Sequence, residues 1–440
     1  MDNVNTGKII TASSESTKKS PWYWVPSTYI MEGLPDSMIM IVLAIMLKNF
    51  GYSNTLITLY TGALVFPWVI KPLWAPFIDI FKTKRWWIYV MEICISAGFV
   101  GMAISLRFSD FFVICISLSW VIAFMASSHD IATDGFYIKH LHPSKQAFFV
   151  GIQGAGYNIG KIVATGGIVI FAGTLFDHLG SYHLAWFFAM LLVAVICCGF
   201  GFYHKFILPK EGSSGVKRSL KSLLKEFFLV YLDFVRMKDL WLAILFLFFY
   251  RVGESIITII LPLFFLSPIS KGGLGLTDQF TGIAYGTVAP IAIILGSILG
   301  GYALYRKGFR YWIWLMLVLE NIPHLLYYML AYYHIYNHII IGACIFIEQF
   351  AFSFGLAAFT LFLFFMVRNS KYKTAHFAFF SGIKQIAVMV PVMMSGWLQH
   401  AIGYENLFLY ILILIIPAGV IIFFIRNRIG DYGKRETKTA

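Results

Sequence analysis

Twelve apolar segments, each about long enough to cross a lipid bilayer, make up nearly all of the 440-residue chain. A hydrocarbon core of about 30 Å requires about 20 apolar residues in a helix. Hydrophobic residues amount to 59% of the chain and charged residues to only 12%, against about 25% charged residues in soluble domains. The sequence therefore predicts an all-α integral membrane protein. The twelve predicted spans are residues 22–47, 54–78, 87–106, 111–137, 146–175, 183–207, 239–266, 279–304, 311–333, 338–366, 374–398 and 407–425.

The distribution of basic residues predicts how the chain is oriented. Most of the 34 Lys and Arg residues lie in the two tails and in every second loop, whereas the other loops hold only Lys48, Arg107 and Lys271. Cytoplasmic loops of membrane proteins carry such an excess. We therefore expect both termini in the cytoplasm. The same bias accounts for the net charge of +13, which is then no evidence for nucleic-acid binding.

One long connection divides the chain into two parts. Residues 208–238 contain a flexible Gly-Ser stretch followed by a basic amphipathic segment, which we expect to lie on the cytoplasmic membrane surface. The alternative is a solvated linker helix. The remaining prediction is a disordered cytoplasmic tail at 1–20, six-helix bundles at 21–207 and 239–426, and a cytoplasmic tail at 427–440.

The two halves show signs of an internal repeat. A single offset aligns Lys161 with Lys384 and Gly173 with Gly396, and the loop entering span 3 separately resembles the loop entering span 9. Two six-helix halves in parallel repeat are the layout of the major facilitator superfamily. We therefore predict that fold.

Ionisable residues at membrane depth are the candidates for function. Such residues cost several kcal/mol if they face lipid, so they should face the interior or a water-filled cavity. The alternative is that each belongs to an inert buried ion pair that only fixes helix packing. Eight of them on six helices exceed what packing requires. They are Glu32, Asp36, Lys161, Arg251, Glu254, Glu320, Glu348 and Lys384.

Span 7 carries the most suggestive pair. Arg251 and Glu254 are three residues apart, so they share one helix face. Arg251 stays charged, whereas Glu254 can take up a proton and release Arg251 for a substrate carboxylate. Glu348 is the second candidate proton carrier.

Lys161 and Lys384 occupy equivalent positions in the two halves. If both face a central cavity, they present two positive charges to an anionic solute. Alternatively, they pair with Glu32 and Asp36 or extend towards the membrane surface.

Near the cytoplasmic end of span 4, two aspartates allow two interpretations. Asp130 and Asp134 are expected to pair with Lys84 or Arg85, or with Lys82, as a gate. The second interpretation belongs to another functional class, because His129 and Asp134 match an acyltransferase-like pattern and would then act in a membrane-embedded enzyme.

Several motifs together resemble the AmpG-type muropeptide permeases, a branch of the major facilitator superfamily. The likeness is best over spans 1–5 and 7–8. The motifs are Gly33-Leu34-Pro35, Lys71-Pro72-Leu73-Trp74-Ala75-Pro76-Phe77-Ile78-Asp79, Ser127-Ser128-His129-Asp130-Ile131-Ala132-Thr133-Asp134, Gly156-Tyr157-Asn158-Ile159-Gly160 and Tyr250-Arg251-Val252-Gly253-Glu254.

The resemblance implies proton-driven import of muropeptides, which are sugar-linked cell-wall peptides, across a bacterial inner membrane. We further expect a monomer in membrane lipid, with a small anionic solute and protons as partners and with no cofactor, metal or enzymatic activity. With the resemblance, Asp79 joins the expected gating residues. Independently of the motifs, Asp36, Gln153, Tyr157 and Asn158 are also expected to bind the substrate.

The chain also departs from the motifs of that branch. Asp36 and Lys161 stand where apolar residues are expected, and Ile80 replaces an arginine. These positions touch the expected cavity and gate, so siderophores and acetyl-CoA remain alternative substrates. A receptor of the same fold that binds solute without moving it is a further alternative.

Overall fold

The computed structural model of the chain describes residues 19–52, 54–211, 220–276, 280 and 284–435. Within these ranges every regular element is a helix. The tail predicted to be disordered and the Gly-Ser stretch of the linker lie almost wholly outside the described residues.

Six spans form the N-terminal half. Span 1 is Pro21–Tyr23, Val25–Ser37, Met38–Val42 and Leu43–Asn49; span 2 is Asn54–Ala63, Phe66–Ile70, Lys71–Leu73 and Ala75–Ile80; span 3 is Lys84–Ser105; span 4 is Phe111–His140; span 5 is Pro143–Ile162, Val163–Ile168 and Val169–Leu179; span 6 is Tyr182–Ile207.

The C-terminal half follows a linker helix, Leu220–Val235. Span 7 is Leu240–Leu266, which the short turn Ile269–Lys271 follows; span 8 is Ala284–Val288 and Ala289–Lys307; span 9 is Phe309–Asn321 and His324–Tyr332; span 10 is His338–Val367. The helices Lys373–Ile413 and Ile415–Ile429 contain the last two spans. A break at Gly403 separates span 11 (373–402) from span 12 (404–429), because Gly403 has a φ of 77°, which a residue without a Cβ adopts without strain.

The predicted twelve-helix architecture is confirmed. Eleven stretches of the described chain are long and apolar enough to cross a membrane. The remaining one is span 2, which is broken into short helices around Pro67, Pro72 and Pro76. Proline has no backbone N–H to continue a helix, so each proline starts a new short segment.

The distribution of core residues shows where the two halves meet. One core cluster contains residues of both halves at the end that carries the linker, where the rings of Tyr137 and Phe364 lie 5.0 Å apart. A second cluster contains only N-terminal-half residues, and a third only C-terminal-half residues, both towards the opposite end. The halves are therefore joined at the linker end and separate towards the other end.

Glycines allow the closest helix contacts. A Cβ on Gly151 of span 5 would lie 2.0 Å from the backbone oxygen of Ser297 in span 8, and one on Gly301 would lie 2.7 Å from the backbone nitrogen of Gly151. Within the N-terminal half, a Cβ on Gly160 would lie 2.3 Å from the oxygen of Ile30. Small residues let membrane helices approach backbone to backbone. Span 5 therefore packs against span 1 on one face and against span 8 of the C-terminal half on another face.

The linker helix lies across both halves at the joined end. Tyr231 donates hydrogen bonds to the backbone oxygens of Pro72 (3.1 Å) and Leu73 (3.0 Å) in span 2. His376 of span 11 has its Nε2 3.0 Å from the oxygen of Val230. The linker helix thus packs directly on the protein, while its position relative to a membrane surface stays a prediction.

Candidate binding cavity

A cavity of about 1100 Å³ lies between the two halves. Spans 1, 2, 4 and 5 line it on one side, and spans 7, 8, 10 and 11 on the other. Of the eight ionisable residues predicted at membrane depth, all line the cavity except Glu320 and Glu348, which are buried behind its wall. The charged residues that line the cavity are Glu32, Asp36, Lys71, Asp130, Asp134, Lys161, Arg251, Glu254 and Lys384.

The wall formed by the N-terminal half carries a cluster of acids. Lys71 of span 2 forms an ion pair with Asp130 of span 4. Asp134 accepts hydrogen bonds from the Tyr29 hydroxyl (2.9 Å) and from Gln153 Nε2 (3.3 Å). Both aspartates therefore have partners inside the cavity wall. Neither aspartate pairs with Lys82, Lys84 or Arg85, the partners that the sequence suggested.

The outer part of the same wall joins spans 1 and 5. The Tyr157 hydroxyl donates a hydrogen bond to Asp36, and Asn158 donates to the backbone oxygen of Gly154 at 2.9 Å. Lys161 lines the cavity with an exposed side chain. Asp36 thus pairs with Tyr157 of span 5, whereas the sequence suggested Lys161 as its possible partner.

Two cations on the opposite wall are available to a ligand. The Arg251 guanidinium lies over the ring of Phe352, 4.7 Å from its centroid. Within the described residues, neither Arg251 nor Lys384 forms an ion pair. Arg251 therefore forms no ion pair with Glu254 among the described residues, and the Glu254 carboxylate has a partner on span 9 instead.

That partner on span 9 is His324. Its Nε2 lies 3.2 Å from Glu254 Oε2, and ligand atoms of Glu254, His324 and Glu348 all lie within 4.8 Å of one another. Glu348 also accepts hydrogen bonds from Tyr327 (2.9 Å) and Gln349 (2.8 Å). All three side chains of this acid–histidine cluster are buried. The two candidate proton carriers are thus brought together, with Glu254 at the cavity and Glu348 behind it.

Sequence comparison assigns the chain to a family. The family model described as Major Facilitator Superfamily matches residues 27–390. The chain belongs to the Major Facilitator Superfamily.

Relatives within the superfamily confirm the resemblance to AmpG-type permeases. The chain is 23% identical over 377 residues to "Anhydromuropeptide permease" of Escherichia coli (strain K12), which covers 83% of this chain and 71% of that protein. It is 22% identical over 418 residues to "Putative transporter AmpG 4" of Rickettsia conorii, which covers 91% of this chain and 95% of that protein.

Solved structures of the superfamily show the same fold. The outward conformation of the transporter FucP matches with a TM-score of 0.66 at 14% identity, over 93% of this chain and 98% of that one. The proton:xylose symporter XylE matches with a TM-score of 0.67 at 12% identity, over 94% of this chain and 96% of that one.

Of the residues expected to form a gate, Asp130 and Asp134 lie in the cavity wall, and Asp79, Lys84 and Arg85 lie at the joined end of the two halves. Lys84 Nζ lies 2.5 Å from Asp79 Oδ1, within the N-terminal half. The other oxygen of Asp79 accepts a hydrogen bond of 3.4 Å from the backbone N–H of Ala375, at the start of span 11. A carboxylate at a helix N-terminus is stabilised by the helix dipole. Asp79 therefore links the two halves.

Arg85 makes a different set of contacts at this end. Its guanidinium donates to the backbone oxygen of Lys205, and its backbone N–H donates to Glu211 at 2.9 Å. Burial alone would raise the pKa of Glu211, but hydrogen bonds from Lys139 and from the Arg85 N–H outweigh it and lower the pKa. Arg85 thus anchors the start of the linker to the N-terminal half.

His129 and Asp134 have different partners in the structure. His129 Nε2 lies 3.0 Å from Glu92 Oε1, and His204 Nδ1 lies 2.6 Å from the same oxygen. This buried cluster does not line the cavity, whereas Asp134 does. The histidine–aspartate pair on which an acyltransferase would depend is therefore not assembled.

Sequence reasoning missed His324, Lys71, Tyr29 and the Glu92 cluster. Lys71 stands at the head of the motif in span 2, which was its available signal. His324 follows Glu320 by one helical turn in an apolar span, so its depth was readable but its contact with span 7 was not.

Proposed function

We propose that this chain is a proton-coupled importer that works by alternating access. Its solute is a muropeptide or a related anionic compound, carried from the periplasm to the cytoplasm of a bacterial cell. The name of the Escherichia coli relative and the three cavity cations that form no ion pair among the described residues, Lys161, Arg251 and Lys384, support this substrate class. With both termini in the cytoplasm, the joined end of the halves is cytoplasmic and the cavity faces the periplasm.

The acid–histidine cluster is the observation that carries the proton coupling. Two carboxyl groups buried within a few ångströms of each other cannot both stay ionised without a compensating cation, because desolvated charges cost several kcal/mol each. Glu254 and Glu348 are both buried, at 2% and 0% exposure, and His324 lies between span 7 and span 10 as a neutral or charged partner. A proton held in this cluster satisfies that requirement.

One proton-carrying acid and one anion-binding cation lie on the same helix. Arg251 and Glu254 lie one turn apart on span 7, so a solute anion at Arg251 and a proton at Glu254 move with the same helix. Inward movement of one charge across the membrane is worth about 2.3 kcal/mol per 100 mV. Proton entry therefore can drive solute accumulation. In this scheme Glu254 and Glu348 carry the proton and Arg251, Lys161 and Lys384 bind the anionic groups.

Asp36, Gln153, Tyr157 and Asn158 complete the proposed substrate wall on the N-terminal half. Asp79 and Lys84 act in the proposed gate at the joined end, where Asp79 holds the start of span 11. Opening of that end breaks the hydrogen bond between Asp79 and Ala375 and exposes the solute to the cytoplasm.

Counterflow in liposomes tests the proposal. Purified protein is reconstituted into liposomes that contain unlabelled muropeptide, ferric siderophore or acetyl-CoA. Uptake of the same compound in labelled form is followed with and without an inward proton gradient. We expect counterflow for the muropeptide and gradient-driven accumulation. Counterflow of only the siderophore or only acetyl-CoA would identify that compound as the substrate instead. Binding without counterflow would indicate a receptor.

A further inference from the structure

The two walls of the cavity differ in charge. The N-terminal half contributes Glu32, Asp36, Asp130 and Asp134 against Lys71 and Lys161, an excess of acids. The C-terminal half contributes Glu254 against Arg251 and Lys384, an excess of bases, and Glu254 is turned to His324. The cavity is therefore polarised from one half to the other.

The acid excess contains an unfilled set of acceptors. Ligand atoms of Glu32, Asp130 and Asp134 lie within 4.8 Å of one another. Asp130 is neutralised by Lys71, but Glu32 Oε1 is buried and has no hydrogen-bond partner in the described part of the chain. Buried acceptors without donors cost free energy. A proton, a cation or a strong hydrogen-bond donor completes this set.

A second acceptor points to the same place. Gln153 is only 9% exposed and donates its Nε2 to Asp134, which holds its amide against the acid cluster. Its Oε1 also has no partner among the described residues. The free oxygens of Gln153 and Glu32 are acceptors beside the same acid cluster, and they match an ammonium group, which has three donors and no acceptor.

We propose that the cavity binds a zwitterionic solute, with a primary ammonium group at Glu32 and Gln153 and a carboxylate at Arg251. This proposal rests on the proposed transport function and names the charge pattern of its substrate. Such a solute connects the two halves of the protein, because each of its charged groups is held by a different half. Its binding therefore favours closure of the halves around it, which a singly charged solute does not achieve.

Paired ligands test the ammonium group in transport. Uptake into liposomes is compared for a muropeptide whose peptide carries a free amine and for the same compound after acetylation of that amine. A charge-assisted hydrogen bond is worth about 1.5–3 kcal/mol, so we expect acetylation to reduce uptake at low concentration about tenfold or more. In Glu32→Gln the difference between the two compounds should nearly vanish. Asp177→Asn, which removes an exposed acid outside the cavity, should keep it. Equal uptake of both compounds by the unmodified protein would overturn the ammonium subsite and leave the transport function standing.

Charged thiol reagents test the subsite without any solute. Ala126 lines the cavity one turn from Asp130, and Leu356 lines it one turn from Phe352. We expect Ala126→Cys to react faster with an ethylammonium methanethiosulfonate than with the sulfonate reagent, and Leu356→Cys to show the reverse order. Glu32→Gln should lower the rate ratio at Ala126→Cys. If muropeptide is not transported at all, the proposed function fails, and this ratio still decides the inference.

Two outcomes of the reagent experiment contradict the proposal. Equal rates of both reagents at Ala126→Cys would show that the acids do not attract an ammonium group. Protection of Ala126→Cys by sodium or magnesium chloride, but not by the amine-bearing muropeptide, would show that an inorganic cation occupies the site instead.

Discussion

Glu254 is in contact with two environments, the cavity and the buried His324–Glu348 pair. This placement explains why the carboxylate does not pair with Arg251, although the two residues share a helix face. His324 reaches it from span 9 at 3.2 Å, and a buried imidazole is itself in need of a partner. Arg251 therefore stays available to a ligand, while Glu254 belongs to the same buried cluster as Glu348.

Replacement of Glu254 separates proton coupling from solute movement. In Glu254→Gln the side chain keeps its shape but cannot exchange a proton. We expect loss of gradient-driven uptake, with exchange of solute across the membrane retained in part. The measurement is uptake into liposomes under a proton gradient, followed by counterflow in the same preparation. Glu405→Gln, at an exposed position, is the matched control, and accumulation by Glu254→Gln would rule out Glu254 as the proton carrier.

Lys161 and Lys384 form no ion pair among the described residues, so we expect their replacement to affect solute binding rather than stability. Lys161→Ala or Lys384→Ala removes one positive charge from the cavity without leaving an acid that had hydrogen-bonded to it. We expect weaker binding of an anionic solute and little change in thermal stability. Binding is measured by titration with labelled muropeptide. An unchanged affinity would assign these lysines to packing.

Lys71 and Asp130 form the ion pair on which the N-terminal-half wall depends. The side chains are only 3% and 17% exposed. Removing one partner of a buried pair leaves an uncompensated charge and costs about 3 kcal/mol or more. We therefore expect Lys71→Met to lower the melting temperature in detergent, and the double variant Lys71→Met/Asp130→Asn to recover most of the loss. Equal melting temperatures of all three proteins would show that water in the cavity screens the pair.

Span 5 connects packing within one half to closure between the halves. It meets span 1 through Gly156 and Gly160, and span 8 through Gly151. The contact with span 1 holds a half together, whereas the contact with span 8 has to break when the joined end opens. In the proposed cycle, the same glycine-rich helix therefore serves a permanent interface and a transient one.

Gly151 is the position that tests the transient interface. A Cβ there would lie 2.0 Å from a backbone oxygen of span 8, and a backbone atom cannot move aside as a side-chain tip can. We expect Gly151→Val to prevent closure at the linker end and to make that end accessible to water-soluble thiol reagents. Gly173→Val, where a Cβ meets nothing within 4 Å, is the control. If the linker end stays closed in Gly151→Val, the contact between spans 5 and 8 is not the one that seals it.

The whole molecule is arranged as two bundles joined at one end. The shared core cluster, the bond from Ala375 to Asp79 and the linker helix all lie at that end. The other end has separate cores for the two halves. Alternating access requires that the joined end opens while the other closes, so a covalent link across the joined end should stop the cycle.

A pair of cysteines tests this requirement. A Cβ on Gly135 of span 4 would lie 2.8 Å from Thr374 Cβ of span 11. A disulfide needs about 3.5–4.5 Å between Cβ atoms, so the helices have to separate by about 1 Å. We expect Gly135→Cys/Thr374→Cys to lose transport on oxidation and to regain it on reduction. The five native cysteines lie within spans. Each single variant is the control for any effect of oxidation on them. Full transport by the oxidised double variant would show that the joined end does not open in the cycle.

The class of the protein, its helix count and its division into halves could be read from the amino-acid order. These properties follow from local composition, because a bilayer imposes one length and one polarity on every crossing helix. The glycines of span 5 and the buried ionisable residues were also visible, since each is unusual in an apolar helix. Which acid meets which base was not visible. Asp130 pairs with Lys71 rather than with Lys84 or Arg85. Glu254 pairs with His324 rather than with Arg251. Asp36 accepts a hydrogen bond from Tyr157 of span 5. Those pairings join residues that are distant in the chain, so they depend on how the helices are rotated and placed around the cavity, and that placement is set by the packing of the whole bundle.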